Sequence, residues 1–160
     1  MSNLAAYLSN DNVCACAGGF VARAKMIEEE DWDGITALCR QAVQTALGFE
    51  FAHVGLNCGT QENARACTQQ LEKLFCLTSD EGSSSIFTAD KRIELMKKPF
   101  YGQCGHLGFY TNSVERAVFH LEQNGFQVIM DSIRYKTKNR MQSAYLKETV
   151  NGFAIHLICK

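Results

Sequence analysis

The chain has four histidines in 160 residues, and three of them fall in a pattern able to hold a metal ion. His53 is the third residue of the alternating run Phe51–Cys58, and His106 is the third residue of the run Cys104–Thr111. His156 lies in a later run, Phe153–Cys159, and the corresponding run Arg92–Lys97 carries Glu94. Imidazole nitrogens with one carboxylate suit a borderline divalent ion, Zn²⁺, Ni²⁺, Co²⁺, Fe²⁺ or Mn²⁺, better than Ca²⁺ or Mg²⁺. A single ion held by His53, Glu94, His106 and His156 would act as a Lewis acid, stabilising an enolate or alkoxide. His120 has no counterpart elsewhere in the chain and reads as a surface residue.

Strand alternation decides which way these side chains point. Phe51, His53, Gly55 and Asn57 share one face, opposed by Ala52, Val54, Leu56 and Cys58. Arg92, Glu94 and Met96 oppose Ile93 and Leu95, and Cys104, His106, Gly108 and Tyr110 oppose Leu107 and Phe109. Ala154, His156 and Ile158 oppose Phe153, Ile155, Leu157 and Cys159. The apolar sets suit packing against helices, and the mixed sets suit the wall of a cup. Asn57, Arg92 and Tyr110 are then the cup-facing candidates for substrate contact. Arg134, Lys136, Lys138 and Arg140 alternate along a hairpin that reads as a solvated sheet edge.

The elements that carry these residues occur twice. After the first histidine strand come a helix over about Gln61–Leu74 and strands at about Cys76–Thr78, Ser84–Thr88 and Arg92–Lys97, the order βαβββ. Pro99–Gly102 is a connector. The second histidine strand is followed by a helix whose start is signalled by Asn112-Ser113-Val114-Glu115, a capping residue three before a glutamate. That helix runs to about Gln123, and strands follow at Phe126–Asp131, Gln142–Lys147 and Phe153–Cys159, with a turn at Val150–Gly152. An offset of 53 residues pairs His53 with His106, Gly55 with Gly108, Glu62 with Glu115 and Ala64 with Ala117. This internal repeat predicts an α+β domain over residues 49–160, its units at about 50–98 and 103–160, with the sheets joined edge to edge in a half-open barrel.

Paired βαβββ units with one ligand on the first and last strand of each resemble the vicinal-oxygen-chelate superfamily, which includes glyoxalase I and extradiol dioxygenases. The resemblance implies the ligand set His53, Glu94, His106 and His156 and a metal-dependent lyase or isomerase acting on a small keto or hydroxy acid. The last ligand departs from the commonest pattern, a glutamate that doubles as catalytic base, so here a neutral His156 released from the metal would have to take that role. The alternative is a non-catalytic module that binds such an acid.

Residues 1–48 read differently. A short helical piece at Asn3–Leu8 precedes a strand-like run, Val13–Ala17, and a helix over about Asp33–Leu47 that Gly48 stops. The run Asn12–Phe20 (NVCACAGGF), the acidic turn Glu30–Asp33 and the helix Ile35–Val43 resemble the C-terminal end of 2-keto-3-deoxy-6-phosphogluconate / 2-keto-4-hydroxyglutarate aldolase, a (β/α)₈ barrel using a Schiff-base lysine. The resemblance implies a barrel remnant of one strand plus helices, with Gly18 and Gly19 at the former phosphate turn. It also implies an accessory domain of a bifunctional aldolase, through truncation or a split gene. The lysine-bearing strands are not in this sequence, so no aldolase activity is expected of it.

Bulk properties narrow the remaining classes. A net charge of −1 argues against nucleic acid or an anionic membrane as partner. No run approaches the roughly 20 apolar residues of a membrane span, and the N-terminus lacks a leader, so a cytoplasmic protein is expected. Its eight cysteines include no C-x-x-C pair and read as reduced thiols. The apolar strand and helix face of the N-terminal segment would need cover, either on the C-terminal domain or across a homodimer interface.

Overall fold

The computed structural model describes residues 3–10 and 12–160, and the chain divides into two compact units, Met1–Phe49 and Glu50–Lys160. The first unit is helical: α1 (Leu4–Leu8), α2 (Ala24–Glu28) and α3 (Trp32–Leu47). Asp31 caps α3 by accepting from the Gly34 amide at 2.9 Å, and Gly48 ends it in the left-handed region at φ 58°. The strand expected at Val13–Ala17 does not form; those residues have no regular structure. A strand needs a ladder partner, and the described elements of this unit are all helices or turns. Gly18 is extended, and Gly19 opens a three-residue 3₁₀ turn, Gly19–Val21.

The second unit is one open eight-stranded sheet with two helices. Its elements are β1 (Glu50–Asn57), α4 (Gln61–Phe75), β2 (Ser79–Glu81), β3 (Ser85–Thr88), β4 (Ile93–Met96), β5 (Gly105–Thr111), α5 (Val114–Gln123), β6 (Arg134–Thr137), β7 (Arg140–Val150) and β8 (Phe153–Cys159). The strand order β2-β3-β4-β1-β5-β8-β7-β6 places the same βαβββ arrangement on both sides of a central β1–β5 seam. Within each half the first strand runs parallel to the last, β1 with β4 and β5 with β8, while β1 and β5 are antiparallel.

Local chemistry accounts for the helices. Thr60 caps α4 by accepting from the Asn63 amide, and Cys76 closes it in the left-handed region at φ 54°. The cap of α5 is Ser113, one residue later than expected; it accepts from the Arg116 amide, and its hydroxyl donates to Glu115. Ala64 of α4 packs on Ile86 and Leu95, ringed by Leu56, Ile93 and Leu71. Full burial of Leu95 is worth about 1.5–3 kcal/mol. The apolar faces of β1 and β4 therefore lie under α4, and the histidine faces lie on the opposite side.

Three strand expectations need correction. The first outer strand, expected at Cys76–Thr78, begins at Ser79, because the left-handed Cys76 and the residues after it are used in leaving the helix. Phe126–Asp131 makes only the bridge Val128↔Leu146 before a 3₁₀ turn at Met130–Ser132. The ladder is instead built by the charged hairpin, β6 pairing with β7. Phe51 does not share the His53 face: the register shifts between them, and Phe51 lies opposite Phe109, their ring centroids 5.9 Å apart. No helix among the described residues is long and apolar enough to cross a membrane.

Candidate metal centre

The seam between the two halves sets the positions of all four candidate ligands. Across β1 and β5, His53 pairs with Gly108 and Gly55 pairs with His106. One strand further out on either side, Gly55 pairs with Glu94 and Gly108 pairs with His156. Each histidine of the seam thus lies over the glycine of the opposite half. A Cβ at Gly108 would stand 2.7 Å from Cε1 of His53, and one at Gly55 would stand closer still to Cε1 of His106. Neither glycine adopts a positive φ, so their role is close approach, which only a residue without a side chain permits.

The functional atoms converge. His53 Nε2 and His106 Nε2 are 2.9 Å apart, and Glu94 Oε2 lies 3.3 Å from the first and 3.1 Å from the second. One ligand atom from each of His53, His106 and His156 lies within 4.8 Å of the others. Atoms bound at about 2.0–2.2 Å to one ion sit roughly 3 Å apart, which is the spacing of the first three. Two neutral imidazole nitrogens at 2.9 Å cannot both present lone pairs without a proton or cation between them. Among the described residues, three buried side-chain N or O atoms lack a hydrogen-bond partner, and two of them are His106 Nδ1 and His156 Nδ1. The donor set and its spacing fit a divalent ion, so the histidine triad can hold one.

Electrostatics point the same way. Burial alone would raise the Glu94 carboxyl, but hydrogen bonds from His106, His53 and Ser85 outweigh it and hold the group well below the usual carboxylate range. Ser85 Oγ donates to Glu94 Oε1 at 2.6 Å, fixing the carboxylate from behind. Burial, reinforced by the neighbouring His106 and His53, pushes the His156 imidazole down to about 3. At neutral pH the cluster therefore contains a neutral His156 and an ionised Glu94, two donors in the form a cation requires.

Aromatic rings surround the cluster. The Tyr145 ring stacks on His156 with centroids 4.1 Å apart and planes 3° from parallel. Tyr101 lies 4.7 Å and Phe100 5.6 Å from Tyr145, while Phe87 meets His53 edge-on at 5.9 Å. Burial first, and then the Glu94 charge, push the Tyr145 phenol above its ordinary value. The sequence reading passed over Tyr145. Counted back from the Asn151-Gly152 turn, where Val150 pairs with Phe153, a regular hairpin would set Lys147 opposite His156. An irregularity between Tyr145 and Thr149 puts Tyr145 there instead.

The other sequence candidates have local partners. Asn57 Nδ2 donates to the Gly102 carbonyl at 2.8 Å, and its Oδ1 accepts from the Phe100 amide at 3.3 Å. Arg92 Nη1 donates to the Phe51 carbonyl at 3.1 Å, and Arg134 Nη1 to those of Asp131 and Ile133. Tyr110 is partly exposed on β5. Gly18 and Gly19 belong to the first unit, and the four candidate ligands to the second.

No protein-family model and no curated protein sequence matches the chain. Solved structures do. A methylmalonyl-CoA epimerase superposes with a TM-score of 0.51 at 13% identity, over 68% of this chain and 93% of its own. The hypothetical protein BH1468 of Bacillus halodurans C-125 gives 0.49 at 15% identity, over 70% of this chain and 94% of its own. Homoprotocatechuate 2,3-dioxygenase from Arthrobacter globiformis gives 0.45 at 14% identity, over 69% and 35%. The likeness to the epimerase speaks for the fold alone, and that fold is the vicinal-oxygen-chelate, glyoxalase-like one.

Proposed function

We propose that residues 50–160 bind one divalent transition metal through His53, Glu94, His106 and His156 and act there on a small keto or hydroxy acid as a metal-dependent lyase or isomerase. The single observation that carries this reading is the convergence of two Nε2 atoms and Glu94 Oε2 within 2.9–3.3 Å, beside a third imidazole. Once bound, the ion would supply Lewis-acid polarisation of the substrate's oxygens. The chain's own residues do the rest. Ser85 keeps the carboxylate oriented, and Gly55 and Gly108 leave room for the opposing rings. Tyr145 holds the plane of His156 and, with Phe100 and Tyr101, forms an aromatic wall that excludes water. His156, the most exposed imidazole of the three, is the residue we assign to accept a proton beside the substrate carbonyl, in the form released from the ion, since a coordinated neutral ring has no free lone pair.

One observation favours a binding module without turnover. Glu94 already takes His53, His106 and Ser85, which leaves it unsuited to a second role as base. Under this reading the domain holds the acid at the ion, as an accessory to an aldolase of the kind residues 3–43 resemble or by itself. Elemental analysis of protein purified without chelators tests the common premise. About one equivalent of transition metal is expected in the native chain and none in His106→Ala; equal metal content in both would overturn the proposal. Incubation of the loaded protein with keto and hydroxy acids then separates turnover from binding.

A further inference from the structure

A cavity of about 710 Å³ opens at the carboxyl ends of β1 and β4. Met96, on one side of it, pairs with Asn57 where Glu94 pairs with Gly55, so it stands one strand repeat beyond Glu94 on the same face. On another side is Phe100, whose ring meets Tyr145 at 5.6 Å, and Tyr145 in turn lies on His156. Two routes thus lead from the border of the cavity toward the imidazole cluster, one along β4 from Met96 to Glu94 and one through the rings of Phe100 and Tyr145.

The cavity is braced from both sides. Asn57 ties down the connector that carries Phe100, bonding both the Phe100 amide and the Gly102 carbonyl. Opposite it, the Lys97 amide donates to the Ser84 carbonyl at 3.0 Å, and Lys97 Nζ donates to the Gly82 carbonyl at 2.6 Å while facing Glu81 at 2.7 Å. The Lys97 ammonium is therefore engaged in holding the 82–84 turn. The exposed lining is mostly apolar surface; Met96, Pro99 and Phe100 are its large apolar side chains, and polar and charged residues also border it, among them Ser84, Glu62, Lys97 and Lys98. Pockets of roughly 300–1,000 Å³ accommodate whole drug-sized ligands, so an acid of three or four carbons would leave most of this one empty.

We infer that this cavity receives the tail of the molecule whose oxygenated head lies at the imidazole cluster, and that the tail is an apolar chain of several carbons. The inference rests on the proposed function for its head group and adds the substrate class: long-chain rather than short oxo acids. Titration calorimetry with 2-oxobutanoate, 2-oxohexanoate and 2-oxooctanoate tests it on the metal-supplemented full chain. Dissociation constants are expected to fall with length by up to about fourfold per methylene while the cavity fills. Ser84→Phe, which fills the cavity, and Phe100→Ala, which removes one side of it, should each flatten that dependence. Equal affinity for the three acids, no binding of any, or an undiminished dependence in folded Ser84→Phe protein would overturn the inference. Metal content measured on the same samples keeps the two ideas apart. A flat series on loaded protein defeats only the tail site, and a rising series on protein that takes up no metal defeats only the metal centre.

Discussion

Glu94 meets two imidazole nitrogens and accepts from a serine hydroxyl, and each ring reaches it only because a glycine lies beneath. The sharpest test at this scale is to add one carbon. Gly55→Ala should displace the His106 ring and Gly108→Ala the His53 ring. Metal affinity in each should drop on the order of 10–100-fold, the range seen when the orientation of a ligand is lost. Competition with a chromophoric chelator would measure the drop, and unchanged affinity with native circular dichroism would contradict the steric account. The histidines themselves were legible in the sequence, because the 53-residue offset makes His53 and His106 equivalent and alternation gives their direction. Tyr145 was not legible, since its place opposite His156 depends on an irregular register that no alternation rule reveals. Ser85 was hidden for a simpler reason: its partnership with Glu94 crosses two strands and shows only once β3 and β4 are paired.

Elements with strong local signals came out where the sequence placed them. Capping residues and left-handed stops fix α3, α4 and α5, and strict alternation fixes β1, β5 and β8. Elements defined only by tertiary partners did not. The apolar run at Phe126–Ile129 looks like a strand, but Ser132 draws the chain away from it, its hydroxyl donating to the Ile129 carbonyl and accepting from the Tyr145 amide. The edge strand β2 is polar and carries little pattern of its own. It is held by Glu81, which accepts from Arg65 Nη2 at 2.8 Å and pairs with Lys97 at 2.7 Å. Arg65, with Lys97 beside it, brings the Glu81 carboxyl down to about 2 from an unfolded value of 4.5. Because the folded value is the lower one, its contribution to stability is complete above about pH 4.5 and disappears as the pH falls through about 2. Glu81→Gln should therefore lower the unfolding midpoint at neutral pH and narrow the gap to the native chain as the solution is acidified. Denaturant titrations at pH 7 and pH 2.5 measure both; a gap that stays constant would show that the carboxylate charge is not what secures this edge.

At the scale of the molecule, the repeat is the feature that the sequence disclosed best, and the first unit is the one it disclosed least. Periodicity located α3, but nothing local could reveal that Val13–Ala17 would find no strand to pair with. Metal should report on the whole second unit, since its ligands come from four strands drawn from both halves. Zinc at about a hundredfold excess over its dissociation constant should add about 2.7 kcal/mol to the unfolding free energy, a rise of roughly 5–10 °C in Tm that EDTA reverses. Calorimetry showing no such rise would count against a shared ion. The reciprocal seating at the seam carries a further consequence for how such a chain can be taken apart. Either half, produced as a separate polypeptide, would lack the hollow in which its own imidazole rests, because that hollow is in the other piece. Severed fragments should therefore sequester no ion singly and regain the capacity only on recombining, in an all-or-none fashion.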